Sequence, residues 1–526
     1  MKKKGLFVAI FFGTIMLTSL SAGVMLNNMP RIDDPQSEVV LTGTPADNFP
    51  VAQREQFCGS GNAKSTVFIK EYSIPTVCTN PLAIVTDYNG NVWFAQSNTG
   101  KLAKFDPIKN SFTEFDNPMW PKNGRSMIWG IDYSPDGSIW YTDESFDSVW
   151  QFSIADKKYQ RIDYPSTGDS LPQKLKVYGS QIVINDFTGN KLTFLDPTQS
   201  TDSLKFLNLP SPVDGSVTGG FAIDSNKNIW YTNWLFQQGG VLVKFDQEGY
   251  RNSIANVKGE TLPALDYIEI FELPVELFTP NGIAVSNGLI WLADTSNSAV
   301  FSFDPTTQQF TPYVTSHPKL STYGNSTGVI KSPISRPYWI QTNSDGQLVF
   351  NEQNANSIAI LDPKAESLVE YLVPSKNPAW ADCDATSDCG LAQIFDFAIH
   401  RDKIWFTEWA ENNIGVVDTS IPLPFGIELD SKDISLAPGE SKNITFTISP
   451  TQNVSDVSLI LSEFHIFLNT ASNVSNNFKL NSGVSKSVDV LVSASDSATP
   501  GKYKILLGAQ IEDVSISKFV TVTILP

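Results

Sequence analysis

Apolar and polar residues alternate along this chain in short runs, cut by Gly, Asn and Asp, and the runs recur in sets of four. One set reads Gly282-Ile283-Ala284-Val285, the turn Asn287-Gly288, Ile290-Trp291-Leu292-Ala293-Asp294, then Val300-Phe301-Ser302-Phe303-Asp304-Pro305 and Phe310-Thr311-Pro312-Tyr313. Alternation with period two predicts half-buried strands, and Asn-Gly between two such runs predicts a tight hairpin. The set occurs seven times. Its aromatic position is Trp93, Trp140, Val183, Trp230, Trp291, Val349 and Trp405, spaced 43 to 61 residues apart. Four antiparallel strands repeated at such a period predict an all-β fold, a seven-bladed β-propeller.

The seventh copy ends at Asp418 without a fourth strand, while an orphan strand, Val67–Pro75, precedes the first copy. Placing the orphan on the seventh blade closes the ring and removes an open edge. A solenoid or a pair of sandwiches is the competing architecture, and neither repeats a Trp-x-x-acid at this spacing. From Phe425 onward Trp disappears, and seven short strands separated by Pro438-Gly439 and Pro500-Gly501 predict an immunoglobulin-like β-sandwich without a disulfide. The expected organisation is residues 63–422 as propeller and 423–526 as sandwich.

The start of the chain changes the picture. Met1-Lys2-Lys3-Lys4 precedes an apolar run to Leu26 containing Ser19-Leu20-Ser21-Ala22, the pattern of a signal peptide or an N-terminal membrane anchor. A Pro-rich linker, 27–62, follows. An extracellular or cell-surface location is therefore expected, with the membrane engaged only through this segment. Four cysteines fit an oxidising compartment. Cys58 with Cys78 and Cys383 with Cys389 is the preferred pairing; a crossed pairing stays open, and a zinc site has the wrong spacing. Asn325, Asn443, Asn453 and Asn473 head glycosylation sequons. The formal net charge is −18, and residues 5–423 hold 45 acids against 27 bases. That balance argues against nucleic acid and suits cationic ligands.

The candidate chemistry lies where second strands end and first strands begin, at one mouth of the ring. The second-strand ends are Gln96, Asp143, Asp186, Asn233, Asp294, Glu352 and Glu408. Five carboxylates and two amides predict an oxygen-only site for Mg²⁺ or Ca²⁺, with Glu352, Glu408, Asp294, Asp143 and Asp186 as ligands. The first-strand column, Leu82, Trp129, Gly219, Asn281, Tyr338 and Phe395, is largely aromatic, and the long insertions Val314–Ser335 and Val373–Ala392 overhang the same mouth. Trp129, Asn233, Asn281, Gln96 and Trp409 are the expected contacts to a small-molecule or peptide-like ligand.

The segment Ile404-Trp405-Phe406-Thr407-Glu408-Trp409 with Asn413-Ile414-Gly415 resembles the streptogramin (virginiamycin B) lyase family over residues 65–420. The resemblance implies a seven-bladed propeller that opens a cyclic depsipeptide by elimination, using Mg²⁺ and a His base in an Arg-Pro-His-Ala-Ile segment, with a metal-binding Glu fourteen residues on. Here the segment is Arg336-Pro337-Tyr338-Trp339-Ile340, and Glu352 stands fourteen residues after Tyr338. The metal position is kept and the base position is Tyr338, a poor base when unperturbed. Two functions follow as expectations. One is a metal- and ligand-binding propeller with carbon–oxygen lyase or lactone and ester cleavage, in which Tyr338 is catalytic. The other is a non-catalytic binding or scaffold protein that contacts a cell-surface component.

Overall fold

The computed structural model describes residue 59 and residues 62–526, apart from 123, 167–169, 200–204, 236–237, 247–248, 250–266, 325–333 and 384–388. The N-terminal segment, Cys58 and Asn325 lie outside the described residues.

Seven antiparallel sheets carry the repeat, spanning 81–115, 131–163, 172–210, 217–272, 280–314, 337–372 and 394–418; these are blades 1 to 7. Each blade runs outward from its first strand to its fourth. Each first strand packs against that of the next blade, and the seventh packs against the first, so the ring is closed. The fourth strand of blade 7 is Ile69–Ser73, paired antiparallel to Asn413–Asp418 with Glu71 opposite Gly415. Residues 63–66 fold back along this strand through Glu71 N to Lys64 O at 3.1 Å and Thr66 N to Ile69 O at 2.8 Å.

A second device locks blade to blade. The second-strand residue just before Asp143, Asp186, Asn233, Glu352 or Glu408 donates to a first-strand carbonyl of the following blade: Thr142 to Gln173 at 2.7 Å, Asn185 to Thr218 at 3.0 Å, Thr232 to Pro280 at 2.8 Å, Asn351 to Ile394 at 2.7 Å and Thr407 to Leu82 at 2.6 Å. Burying a polar side chain is tolerable because each finds its partner.

The hairpin turns differ from the expected pattern. Only Asn287-Gly288 has positive φ at both residues, 51° and 79°, as a type I′ turn requires. At Asn89-Gly90 the glycine alone is positive, and the chain takes a longer loop in which Asp87 N binds Asn91 O at 3.0 Å. The Asp87 carboxylate holds that loop together, accepting from Asn89 N, Asn91 N and Trp93 Nε1.

Residues 425–524 form two sheets. One, a four-stranded sheet, contains Phe425–Leu429, Ser441–Pro450, Lys486–Ala494 and Leu468–Ser472. The other is continuous with blade 6: Val514–Ile524 pairs antiparallel with Ser367–Leu372, Glu370 opposite Ser515. The C-terminal unit is therefore joined edge-on to the ring rather than trailing from it, and it covers the outer edge of blade 6. Phe446, Val488 and Val490 from the first of these sheets and Leu507, Val520 and Val522 from the second belong to one buried cluster.

Candidate functional site

All seven second-strand ends are fully buried, and most of their polar atoms are used inside the blades and linkers, while Asn233 Oδ1, Glu352 Oε1 and Glu408 Oε1 accept from no donor. Asp143 accepts from Ser126 Oγ at 2.5 Å and Trp150 Nε1 at 3.0 Å. Asp186 accepts from Leu171 N, Gly189 N and Tyr164 Oη. Asp294 takes Phe278 N, Thr279 N, Ser296 N and Asn297 Nδ2. Asn233 donates to Val217 O and Thr218 Oγ1. Burial raises the Asp143 and Asp294 carboxyls despite these bonds.

The remaining three ends share a motif. In blade 1, Gln96 Nε2 donates to Glu114 Oε1 of the fourth strand at 2.5 Å, and Thr76 Oγ1, from the linker leaving blade 7, donates to Glu114 Oε2 at 2.7 Å. In blade 7, Glu408 is hydrogen-bonded to Glu71, and Ser375 from the linker leaving blade 6 gives Glu71 its N–H at 3.0 Å and its hydroxyl at 2.6 Å. In blade 6, Glu352 faces Glu370, which takes Ser316 N at 3.0 Å and Ser316 Oγ at 2.5 Å from the linker leaving blade 5. Ser515 of the C-terminal unit adds a third donor to Glu370 at 2.5 Å. The third strand stays small between the paired groups, with Ala103, Gly415 and Ala359 opposite Glu114, Glu71 and Glu370. Burial, and then the facing Glu370, pushes Glu352 up to about 8; burial, and then Glu71, pushes Glu408 well up. Glu352 therefore holds its proton at neutral pH and Glu408 is shifted in the same direction, while Gln96 places a permanent N–H donor at the matching position of blade 1.

These acids do not converge on the mouth. Successive side chains on a strand point to opposite sides, and the residue one place further on reaches the first-strand entries instead. Trp129 Nε1 donates to Glu144 at 2.9 Å, Asn281 Nδ2 to Thr295 Oγ1 at 2.6 Å, and Arg336 Nε to Gln353 Oε1 at 2.6 Å. The expected ligand ring is thus displaced by one residue. Among the described residues no three His, Cys, Asp or Glu side chains are gathered to hold a metal ion.

Tyr338 lies at the mouth, 3% exposed, against Trp339, Trp129 and Phe395 at centroid distances of 4.8, 6.3 and 6.3 Å. Burial raises its phenol. Trp409, 2% exposed, packs on Trp380 at 5.1 Å and Phe395 at 5.7 Å. Burial lowers Arg336 to about 10, still cationic at neutral pH. The buried Gln353 Nε2, Gln393 Nε2 and Trp409 Nε1 have no hydrogen-bond partner.

Below the mouth an ion pair links opposite sides of the ring. Lys174 of blade 3 reaches across to Asp396 of blade 7 at 2.6 Å, with its ammonium 4.6 Å from the Trp339 ring of blade 6. Asp396 also accepts Ile84 N of blade 1 at 3.2 Å. Sequence reading placed no first-strand residue in blade 3, so this pair was not foreseen.

The disulfide Cys383–Cys389 is present, and Cys78 is disulfide-bonded. Asn443, Asn453 and Asn473 are exposed.

No family model and no curated protein matches the sequence. Solved structures do. The fold resembles that of streptogramin B lyase. One such structure superposes with a TM-score of 0.50 at 18% identity, over 66% of this chain and 96% of the lyase. Virginiamycin B lyase from Staphylococcus aureus gives a TM-score of 0.50 at 17% identity, over 68% of this chain and 99% of its own. At such identity the likeness carries the propeller fold and nothing about activity. Of the three histidines in the chain, His400 closes the hairpin at the face opposite the mouth, while His317 of the propeller and His465 of the C-terminal unit line one cleft away from it.

Proposed function

We propose that this protein is a non-catalytic, exported binding propeller whose mouth receives a peptide-like ligand. The observation that carries this reading is Tyr338: where the lyases' base is expected, a phenol sits packed among aromatic rings with its proton held more firmly than usual. Such a group is a poor general base at neutral pH. The mouth is also rich in donors. Arg336 and the unpartnered Gln353 Nε2, Gln393 Nε2 and Trp409 Nε1 match the carbonyl and carboxylate oxygens of a peptide. The C-terminal unit, read as an immunoglobulin-like sandwich, serves as a rigid extension toward a cell-surface component. The fold likeness to streptogramin B lyase, with Glu352 fourteen residues after Tyr338, supports a second reading, elimination from a cyclic depsipeptide.

One experiment separates the two. The full chain is titrated with linear and cyclic depsipeptides, following both binding and ring opening, with and without Mg²⁺. Binding that weakens in Arg336→Met, without ring opening, supports the first reading. Mg²⁺-dependent ring opening supports the second and sinks the first.

A further inference from the structure

The geometry points to a docking site for a basic peptide segment of a partner protein, set apart from the mouth, in the cleft between blade 5 and the C-terminal unit. The cleft has a volume of about 350 Å³, enough for one or two side chains. Its propeller wall is the linker around Val275, Glu276 and Phe278. Its other wall is the turn after strand Val454–Glu463, which carries Phe464, His465 and Ile466.

Three observations say what fits. The rim is apolar and open to solvent: Ile466, Val275 and Phe278 are 103%, 83% and 40% exposed. Large apolar side chains left exposed together mark contact surfaces more often than chance placement does. The turn that presents Ile466 is held firmly, since the His465 ring stacks on Phe467 at 5.1 Å and meets Tyr503 edge-on at 4.6 Å. Phe464 meets Phe301 of blade 5 at 5.5 Å. The surface is thus preorganised, which lowers the entropy cost of docking.

Charge then selects the partner. Glu276 and Glu463 stand on opposite walls, and none of the described lining residues is Lys or Arg. Burial lowers the His465 pKa, so it adds no positive charge at neutral pH, and its Nε2 has no hydrogen-bond partner. Two carboxylates flanking an apolar pit on a chain of net charge −18 favour an aromatic or aliphatic side chain next to Lys or Arg. The overall field draws such a segment in.

The test uses the full-length protein and a fluorescein-labelled peptide of alternating lysine and tryptophan, with a glutamate–tryptophan peptide for comparison, read by anisotropy at low salt. The parent is expected to bind the basic peptide and not the acidic one. Glu276→Gln with Glu463→Gln should weaken binding by about tenfold, two surface charge contacts' worth. Ile466→Ser should weaken it as well. Glu428→Gln with Glu512→Gln removes the same charge from exposed positions elsewhere and should leave binding unchanged. The proposal is overturned if both peptides bind equally, if the Glu276/Glu463 variant binds as the parent does, or if the control pair weakens binding as much, since the effect would then be net charge alone.

Discussion

Glu408, at the inner end of blade 7, is hydrogen-bonded to Glu71, a residue of the strand that enters the ring from the N-terminal side. Two buried carboxyl groups in contact require a proton between them. The bond therefore fastens the closing strand to blade 7 only while that proton stays. Ser375, from the linker leaving blade 6, donates twice to the same Glu71, so one side chain ties a linker, a closing strand and a blade together. Because Glu370 and Glu114 are held likewise, the latches run continuously from blade 5 to blade 1, across the seam.

Ser375→Ala removes the hydroxyl and keeps the N–H, leaving Glu71 Oε2 with one of its two donors, the Lys64 N–H. A loss of about 1–3 kcal/mol is expected. Urea unfolding of the variant checks it, and a midpoint equal to the parent's would show that the latch contributes nothing.

Gly415 faces Glu71 across the seam, and a Cβ there would lie 2.2 Å from the Phe406 ring. Gly415→Ala should destabilise the protein by about 1–3 kcal/mol through overpacking. A thermal melt that falls by several degrees agrees with this.

The channel pair Lys174–Asp396 gives a sharper contrast. Lys174→Met leaves Asp396 buried without its cation and should cost about 3–5 kcal/mol, whereas Lys174→Met with Asp396→Leu should regain most of it, since paired replacement of a buried ion pair is often neutral. Chemical denaturation of the single and double variants decides. Equal losses in both would mean that the pair acts through shape alone.

The C-terminal unit covers the edge of blade 6 and supplies Ser515 to Glu370. Protein ending at residue 422 should therefore expose the strand Ser367–Leu372, melt lower and self-associate. Size-exclusion chromatography of the truncated protein, monomeric and equally stable, would contradict this.

The repeat was legible because strand alternation and the recurring Trp are local, and its count settled the closure by Val67–Pro75. The site was less so. Period two tells which residues share a face, but not which face meets the axis, and a slip of one residue moved the expected ring from Gln353 to Glu352 and from Glu144 to Asp143. The latches had a signal in sequence, Phe-x-Gln or Phe-x-Glu on the second strand with a Glu on the fourth, as in Phe350–Glu352 and Glu370. It becomes readable only once the small third-strand residues Ala103, Ala359 and Gly415 are known to lie between. The join of Val514–Ile524 to blade 6 and the pair Lys174–Asp396 are long-range contacts that no local pattern encodes.

The central claim is that Glu352 and Glu408 are protonated members of structural pairs rather than ligands of a cation. Glu352 is raised from 4.5 to about 8 in the folded state, and Glu408 is raised in the same direction. For a raised carboxyl the stabilisation is complete below the unfolded value and is lost as pH rises through the folded value. Each pair then lowers stability by up to about 1.4 kcal/mol per pH unit across that window. The measurement is the melting temperature of the parent and of Glu352→Gln with Glu408→Gln, from about pH 5 to about pH 9, with and without EDTA and Ca²⁺. The account predicts a parent that weakens steadily with pH, a variant that is nearly flat and overtakes the parent at the alkaline end, as Gln96 already models in blade 1, and no response to chelator in either. A parent that loses stability in EDTA and regains it with Ca²⁺, while the variant ignores both, would make these carboxylates cation ligands and contradict the account.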